Sequence, residues 1–338
     1  MLMIGEKSMS SPLKTFGFLI GIVLVNPVNF AQGKSAVSAP TTLHYETLVM
    51  DGVVRAGGAK LPSGEPIVSS PVTSILIYGD TDAILVDPPM SIGQTKQVVE
   101  WIAHTGKHLK YIYSTHGHGD HWAGTKQILE RFPDAIPYAT TETIVEMRKQ
   151  SEPAIRAAFD RNFPGQLGDT PVLAQSIPAG GLDLEGNSII PIDVGHSDTD
   201  ATTVLYVPSL QLVAAGDVVY NGVHQYLLES GNGGLDAWLY ALDKVAALHA
   251  KVVIAGHKIK GRPDDPQVID ETRRYLLDAK QLLATYPTPE EYYYAMMELY
   301  SDRVNPGPLW YSGLALLGGG NLLTQPAENR VQADKSAK

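Results

Sequence analysis

Three histidines and one aspartate fall within six residues of the stretch Ser114-Thr115-His116-Gly117-His118-Gly119-Asp120-His121-Trp122-Ala123-Gly124. Neutral imidazoles and a carboxylate are the donor set of a borderline divalent ion such as zinc. The intervening glycines let the chain turn tightly and aim several side chains inward. Three residues of the same types follow singly: His196, Asp217 and His257. Each directly follows a glycine, at Gly195, Gly216 and Gly256, and each of those glycines closes an apolar run. All three are therefore expected at strand ends, where α/β scaffolds tend to place their sites.

Hydrophobic periodicity supplies the elements that must position them. Residues 109–113 read as a buried strand leading into the histidine cluster, and residues 125–131 as the helix leading out. Upstream, residues 47–54, 72–78 and 83–87 read as strands and 92–105 as an amphipathic helix. A short strand is expected at 136–139, then helices over 141–165 broken by Pro153 and Pro164. Strands are expected at 172–177, 188–194, 203–207, 212–215 and 251–255, with a helix over 235–248. Residues 266–301 read as two helices separated at Pro287-Thr288-Pro289. This order suggests two similar βα halves packed as a sheet sandwich with helices outside. The partition is a main sandwich domain over 42–262, a helical C-terminal extension over 263–317 packed on it, and a flexible tail over 318–338.

The spacing His116-x-His118-x-Asp120-His121, followed by His196, Asp217 and His257, resembles the metallo-β-lactamase-fold hydrolases. Asp87, after the strand at 83–87, fits the aspartate that steadies the histidine loop in that family. The resemblance covers roughly residues 45–260. It implies a four-layer αββα sandwich with two zinc ions per chain. His116, His118 and His196 would hold the first ion and Asp120, His121 and His257 the second, with Asp217 bridging. Two such cations share a water and bring its pKa toward neutrality, so a bridging hydroxide can attack a carbonyl or phosphoryl centre. Asp120 would also orient that nucleophile. An all-His/Asp site accepts iron or manganese as well.

Asp217 and the complete absence of cysteine set the chain apart from the common zinc β-lactamases. They point to the bridging-aspartate branches: thioesterases, lactonases and phosphodiesterases. Tyr220 resembles a lactonase-branch tyrosine aimed at the substrate carbonyl, although a packed tyrosine would look the same. Trp122 and His224 are further candidates for substrate contact. The leading expectation is cleavage of a lactone, ester, thioester or lactam. Phosphoester hydrolysis is the alternative; β-lactamase, persulfide dioxygenase and a non-catalytic metal-binding relative rank lower. Residues 141–165 and the aromatic residues Tyr292, Tyr293, Tyr294, Trp310 and Tyr311 are candidate lids.

With a net charge of −10 and no basic run, nucleic acid is not an expected partner; a small-molecule substrate is. Residues 1–38 carry Lys7 and Lys14, an apolar stretch at 16–25 and small residues from Ala31 onward, the order of a secretory signal peptide. The apolar stretch is shorter than the ~20 residues of a membrane span. A periplasmic or secreted protein, without stable membrane insertion after cleavage, is the expectation.

Overall fold

Apolar runs covered on both faces build two sheets. The computed structural model describes residues 39–168 and 171–318. The expected signal segment and residues 319–338 of the expected tail lie outside the described residues. The first sheet holds β1 (His44–Met50), β2 (Val72–Tyr78), β3 (Asp82–Val86), β4 (His108–Tyr113), β5 (Ile136–Ala139) and β6 (Gln175–Ser176), in that order. The second holds β7 (Leu182–Leu184), β8 (Asn187–Gly195), β9 (Thr202–Val207), β10 (Leu212–Asn221) and β11 (Val252–Lys258), also in sequence order. The helices are α1 (Ile92–Thr105), α2 (Thr125–Arg131), α3 (Thr141–Gln150), α4 (Pro153–Asn162), α5 (Gly234–Ala246), α6 (Val268–Thr285), α7 (Pro289–Leu299) and α8 (Gly307–Leu317).

The period-2 alternation of the strands shows which layer each face meets. Ile75, Ile77, Ile84 and Val86 pack with Leu205, Val207, Ala214 and Ile254, joining the two sheets face to face. Their neighbours Leu76, Ala83 and Leu85 point the other way, onto Val98 and Ile102 of α1 and Ile128 of α2. In the second sheet, Val213, Ala215, Val253 and Ala255 face outward onto Trp238 and Leu242 of α5 and Tyr275 of α6. The layers are thus helix, sheet, sheet, helix, as the family resemblance implies. Tyr292 and Tyr293 of α7 and Leu309 of α8 join this last core, so the C-terminal helices thicken the outer layer.

Several boundaries differ from the sequence reading. β1 starts three residues early and stops at Met50, because its ladder runs from His44 opposite Tyr78 to Met50 opposite Val72. The helical run over 141–165 is interrupted as expected: α3 ends at Gln150, and Pro153 opens α4 at its first turn, where the missing N–H costs nothing. The strand expected at 172–177 pairs only at Gln175–Ser176. β10 does not end at residue 215; it continues to Asn221 through a register shift at Gly216. Asp217 and Tyr220 therefore lie inside a strand. β8, β10 and β11 run the same way, and β3 and β4 are parallel, so their C-terminal ends carry the candidate residues to one edge of the sandwich.

That arrangement is braced at a turn. Glu185, between β7 and β8, accepts the backbone N–H groups of Asp80, Thr81 and Asp82 at 2.9, 2.7 and 2.6 Å. Burial pushes its carboxyl up, but the three donors together bring it down from 4.5 to about 2. A carboxyl depressed in the folded state stabilises fully above its unfolded value and loses that contribution as pH falls toward the folded one. Glu185→Gln is expected to cost about 1 kcal/mol near neutrality, the modest figure reflecting solvent screening. The gap to the parent in denaturant midpoint should close between pH 5 and pH 2; a gap independent of pH would contradict the account.

Candidate metal centre

The loop after β4 is positioned by Asp87. This residue sits just past β3 with φ 55°, a left-handed conformation that costs a non-glycine residue about 1 kcal/mol or more. Its carboxylate accepts the Thr115 N–H and the Thr115 hydroxyl, both at 2.8 Å, and lies 3.1 Å from His121 Nδ1. The strain is offset by these contacts, which fix the entry and the middle of the histidine loop. Two glycines admit the opposite wall. Gly216 has φ 50°, and a Cβ there would lie 2.4 Å from Thr115 Oγ1. A Cβ on Gly256 would lie 2.3 Å from Asp217 Oδ1.

Three imidazoles share one orientation pattern: one ring nitrogen meets a protein acceptor and the other is turned inward. Thr115 Oγ1 lies 3.0 Å from His116 Nδ1, and the Pro71 carbonyl accepts from His257 Nδ1 at 2.6 Å. Glu229 Oε1 lies 3.1 Å from His118 Nε2; His121 Nδ1 lies 3.1 Å from the Asp87 carboxylate but is buried without a hydrogen bond. On the inner side, Asp217 Oδ1 is 3.3 Å from His121 Nε2 and Asp217 Oδ2 is 2.9 Å from His257 Nε2. His257 Nε2 is also 3.7 Å from Asp120 Oδ2. Three sets each place their donor atoms within 4.8 Å of one another: His116, His121 and Asp217; His116, His118 and Asp198; Asp120, His121 and His257. His116 Nε2, Asp198 Oδ2 and Asp217 Oδ1 are buried without a hydrogen-bond partner. Buried donor atoms left over at a convergence of imidazoles and carboxylates suit a divalent cation.

Burial opposes the charge on Asp217, but the His257 and His121 rings outweigh it and hold the carboxyl well below the usual range. For His118, burial opposes protonation, and Asp198 and Glu229 overcome it, raising the ring well above its ordinary value.

His196 stands apart from these sets. Its Nδ1 is 2.7 Å from Asp200, which turns the ring toward α5. There its Nε2 would be 2.7 Å from a Cβ on Gly234, so only a glycine admits it. Its Nε2 is buried without a hydrogen-bond partner, and beside His116 and His118 lies Asp198, whose Oδ2 is 2.7 Å from His118 Nδ1 and 3.6 Å from His116 Nε2. Tyr220 is fully buried and donates its hydroxyl to Asp217 Oδ2 at 2.7 Å, so it steadies that carboxylate and does not face a substrate. Trp122 is 2% exposed, with its indole N–H donated to the Gly117 carbonyl at 2.8 Å. His224 is fully buried, 3.1 Å from the Tyr275 hydroxyl, and burial with the nearby Arg303 pushes it down to about 3. Neither side chain has surface to offer a substrate. Tyr292 and Tyr293 are also core residues, which removes them as a lid.

Three residues at the centre were not anticipated. Asp198 lies two positions after His196 and could have been noticed as a second acid on that loop. Glu229 and Tyr226 lie between β10 and α5, where only their nearness in sequence to Asp217 hinted at a role. Glu229 also accepts the Thr199 hydroxyl at 2.7 Å, and the half-buried Tyr226 ring sits edge-on to His118 at 5.3 Å.

A sequence model described as the metallo-beta-lactamase superfamily matches residues 69–257, more than half of the chain. The chain belongs to the metallo-beta-lactamase superfamily. A hydroxyacylglutathione hydrolase of Francisella tularensis subsp. novicida is 42% identical over 67 residues, 20% of this chain and 25% of that protein. The chain thus spans only about a quarter of the length of that relative. A metallo-beta-lactamase type 2 of Pseudomonas aeruginosa is 23% identical over 189 residues, 55% of this chain and 68% of the relative. Among solved structures, a metallo-beta-lactamase family protein of Thermus thermophilus superposes with TM-score 0.54 at 19% identity, covering 79% of this chain and 90% of its own. A metallo-beta-lactamase from Pontibacter korlensis gives 0.51 at 17%, covering 71% and 97%. At these identities the structural likeness is one of fold.

Within this superfamily member, the buried indole serves the loop. Trp122→Phe keeps an aromatic ring and leaves the buried Gly117 carbonyl unpaired, an expected loss of about 1–3 kcal/mol. The denaturation midpoint should fall with KM nearly unchanged. An unchanged midpoint with a raised KM would return Trp122 to substrate contact.

Proposed function

We propose that the chain is an exported dinuclear zinc hydrolase that cleaves a carbonyl substrate: a lactone, ester, thioester or lactam. The observation that carries the reading is the convergence of His116, His118, His121 and His257 with Asp120, Asp198 and Asp217, three of the rings having their outer nitrogen on a protein acceptor. Such outer partners fix ring direction and tautomer at metal sites. Asp120, His121 and His257 would hold one ion, and His116, His118 and Asp198 the other, with Asp217 between them. Two bound cations would supply an activated water at neutral pH and polarise the scissile carbonyl. The chain itself contributes direction: Tyr220 holds Asp217, Glu229 holds His118, and Asp87 holds the loop. Iron or manganese would also suit the oxygen-rich donor set. The local identity to a hydroxyacylglutathione hydrolase supports an acyl substrate, and the residue order over 1–38 supports export.

Metal analysis of the purified chain is expected to give about two ions per molecule; fewer than one would remove the two-metal reading. A panel of chromogenic lactone, thioester, cephalosporin and phosphodiester substrates should show turnover of a carbonyl member. Turnover of the phosphodiester alone would move the chain to phosphoester hydrolysis. The first ion has its own test. Asp198→Ala is expected to lower metal content toward one ion per chain, while His196→Ala keeps about two. The reverse pattern would restore His196 as the ligand.

A further inference from the structure

Residues 222–233 cross from β10 to α5, and their first half is fastened to the chain between α7 and α8. Val304 N–H donates to Gly222 O at 3.0 Å, and His224 N–H donates to Val304 O at 3.1 Å. Arg303 Nη1 donates to Val223 O at 2.9 Å within the interior. Further on, Ser230 N–H closes onto Leu227 O at 3.0 Å, and Glu229 lies inside that turn. The backbone that presents Glu229 is therefore held before it and after it.

Glu229 reaches two loops of the centre at once. Its Oε1 lies 3.1 Å from His118 Nε2, on the loop after β4. Its Oε2 accepts the Thr199 hydroxyl at 2.7 Å, on the turn between β8 and β9. The neighbouring Ser230 hydroxyl donates to Ser197 O on the same turn at 3.4 Å. Between Ser197 and Thr199 stands Asp198, whose Oδ2 is 2.7 Å from His118 Nδ1. A carboxylate has two oxygens at a fixed separation, and here each serves a different loop. One side chain thus fixes both the His118 ring and the turn that brings Asp198 to it. Among the described residues, Glu229 belongs to none of the three donor sets, so it partners the donors without being one.

We propose that Glu229 is a positioning residue that clasps the β8–β9 turn to His118 and thereby sets how tightly one of the two ions is held. Keeping hydrogen on His118 Nε2 leaves Nδ1 as the nitrogen offered to a cation, and the tie to Thr199 keeps Asp198 beside that nitrogen. The effect is confined to one ion. His257, a donor to the other, has its outer nitrogen on the Pro71 carbonyl at 2.6 Å, which owes nothing to residues 222–233. The inference rests on the two-metal reading for the existence of the ion and deepens it by naming what holds that ion's donors together.

The test is zinc binding by the full chain in competition with a chromophoric chelator, which resolves the two ions as separate steps. In Glu229→Gln one step is expected to weaken about 10–100-fold while the other stays as in the parent. An amide has one oxygen for two donors and no charge for either. Thr199→Val, which cuts only the tie to the turn, should weaken the same step by a smaller factor. Cobalt in place of zinc supplies a second signature: the visible absorption of one ion should change in Glu229→Gln and that of the other should not. A residue with a merely structural role would weaken both steps alike. Circular dichroism reports folding, and Thr199→Val decides the matter if Glu229→Gln unfolds. Unaltered steps in the folded variants, or two steps weakened equally, overturn the role of Glu229 and leave the two-metal reading standing. A parent chain that binds no zinc sinks both.

Discussion

A carboxylate buried to 1% exposure sits where the two sheets meet the histidine loop, and most of the structure around it follows from keeping Asp217 charged there. Taking a carboxylate out of water costs several kcal/mol unless neighbours compensate. Here the compensation comes from three directions: His121 from the loop after β4, His257 from β11, and the Tyr220 hydroxyl from three residues further along β10 itself. Each neighbour must then be fixed in its turn. His121 is fixed by Asp87, His257 by the Pro71 carbonyl, and Tyr220 by packing against Trp238, whose indole N–H is donated to Val218 O. Removing any one of them leaves a charge in the interior with fewer partners.

The sandwich makes this convergence easy to achieve. Each sheet brings parallel strand ends to one edge, so side chains distant in sequence arrive there without long loops. β10 carries an irregularity at Gly216 that lets Asp217 turn toward Thr115 and the loop, while its flanks stay in the ladder with β11. Glycine at 216 and 256 is a requirement of this approach, since side chains there would overlap Thr115 and Asp217 themselves. The same strands are covered on their outer face by α5 and α6. The helices stiffen the strands that hold the site without entering it.

The sequence is most informative where one residue type has one use. The cluster from His116 to His121, with Asp217 and His257, was legible because histidine and aspartate beside glycine at the ends of apolar runs have few uses apart from holding a metal ion. The sandwich was legible because apolar runs of five to seven residues demand cover on both faces. Orientation was not legible. His196 shares the glycine and the strand end, and its Nδ1 lies on Asp200 four residues on, a contact that spacing does not contain. Trp122, His224 and Tyr220 were picked for their chemistry and proved to be using it internally, on Gly117, Tyr275 and Asp217. Glu229 was missed for the opposite reason. It stands in a loop without periodicity, and its role exists only because the fold lays that loop over His118.

This division also bears on which parts of the chain are constrained. The superfamily match runs from residue 69 to residue 257 and contains every candidate metal donor. Arg55 lies before it and Tyr311 after it, and the Arg55 guanidinium packs over the rings of Tyr311 and of Phe163 from within the match. The donors must satisfy a fixed geometry, so the strands that carry them are constrained by reaction chemistry. The segment before β2 and the helix α8 carry no such burden. They need only pack against the sandwich, and α8 does so through Leu309 and Ser312 while leaving Tyr311 half-buried against Arg55. Membership of the superfamily therefore rests on the strands that carry the donors, while the flanking segments are left free of that constraint.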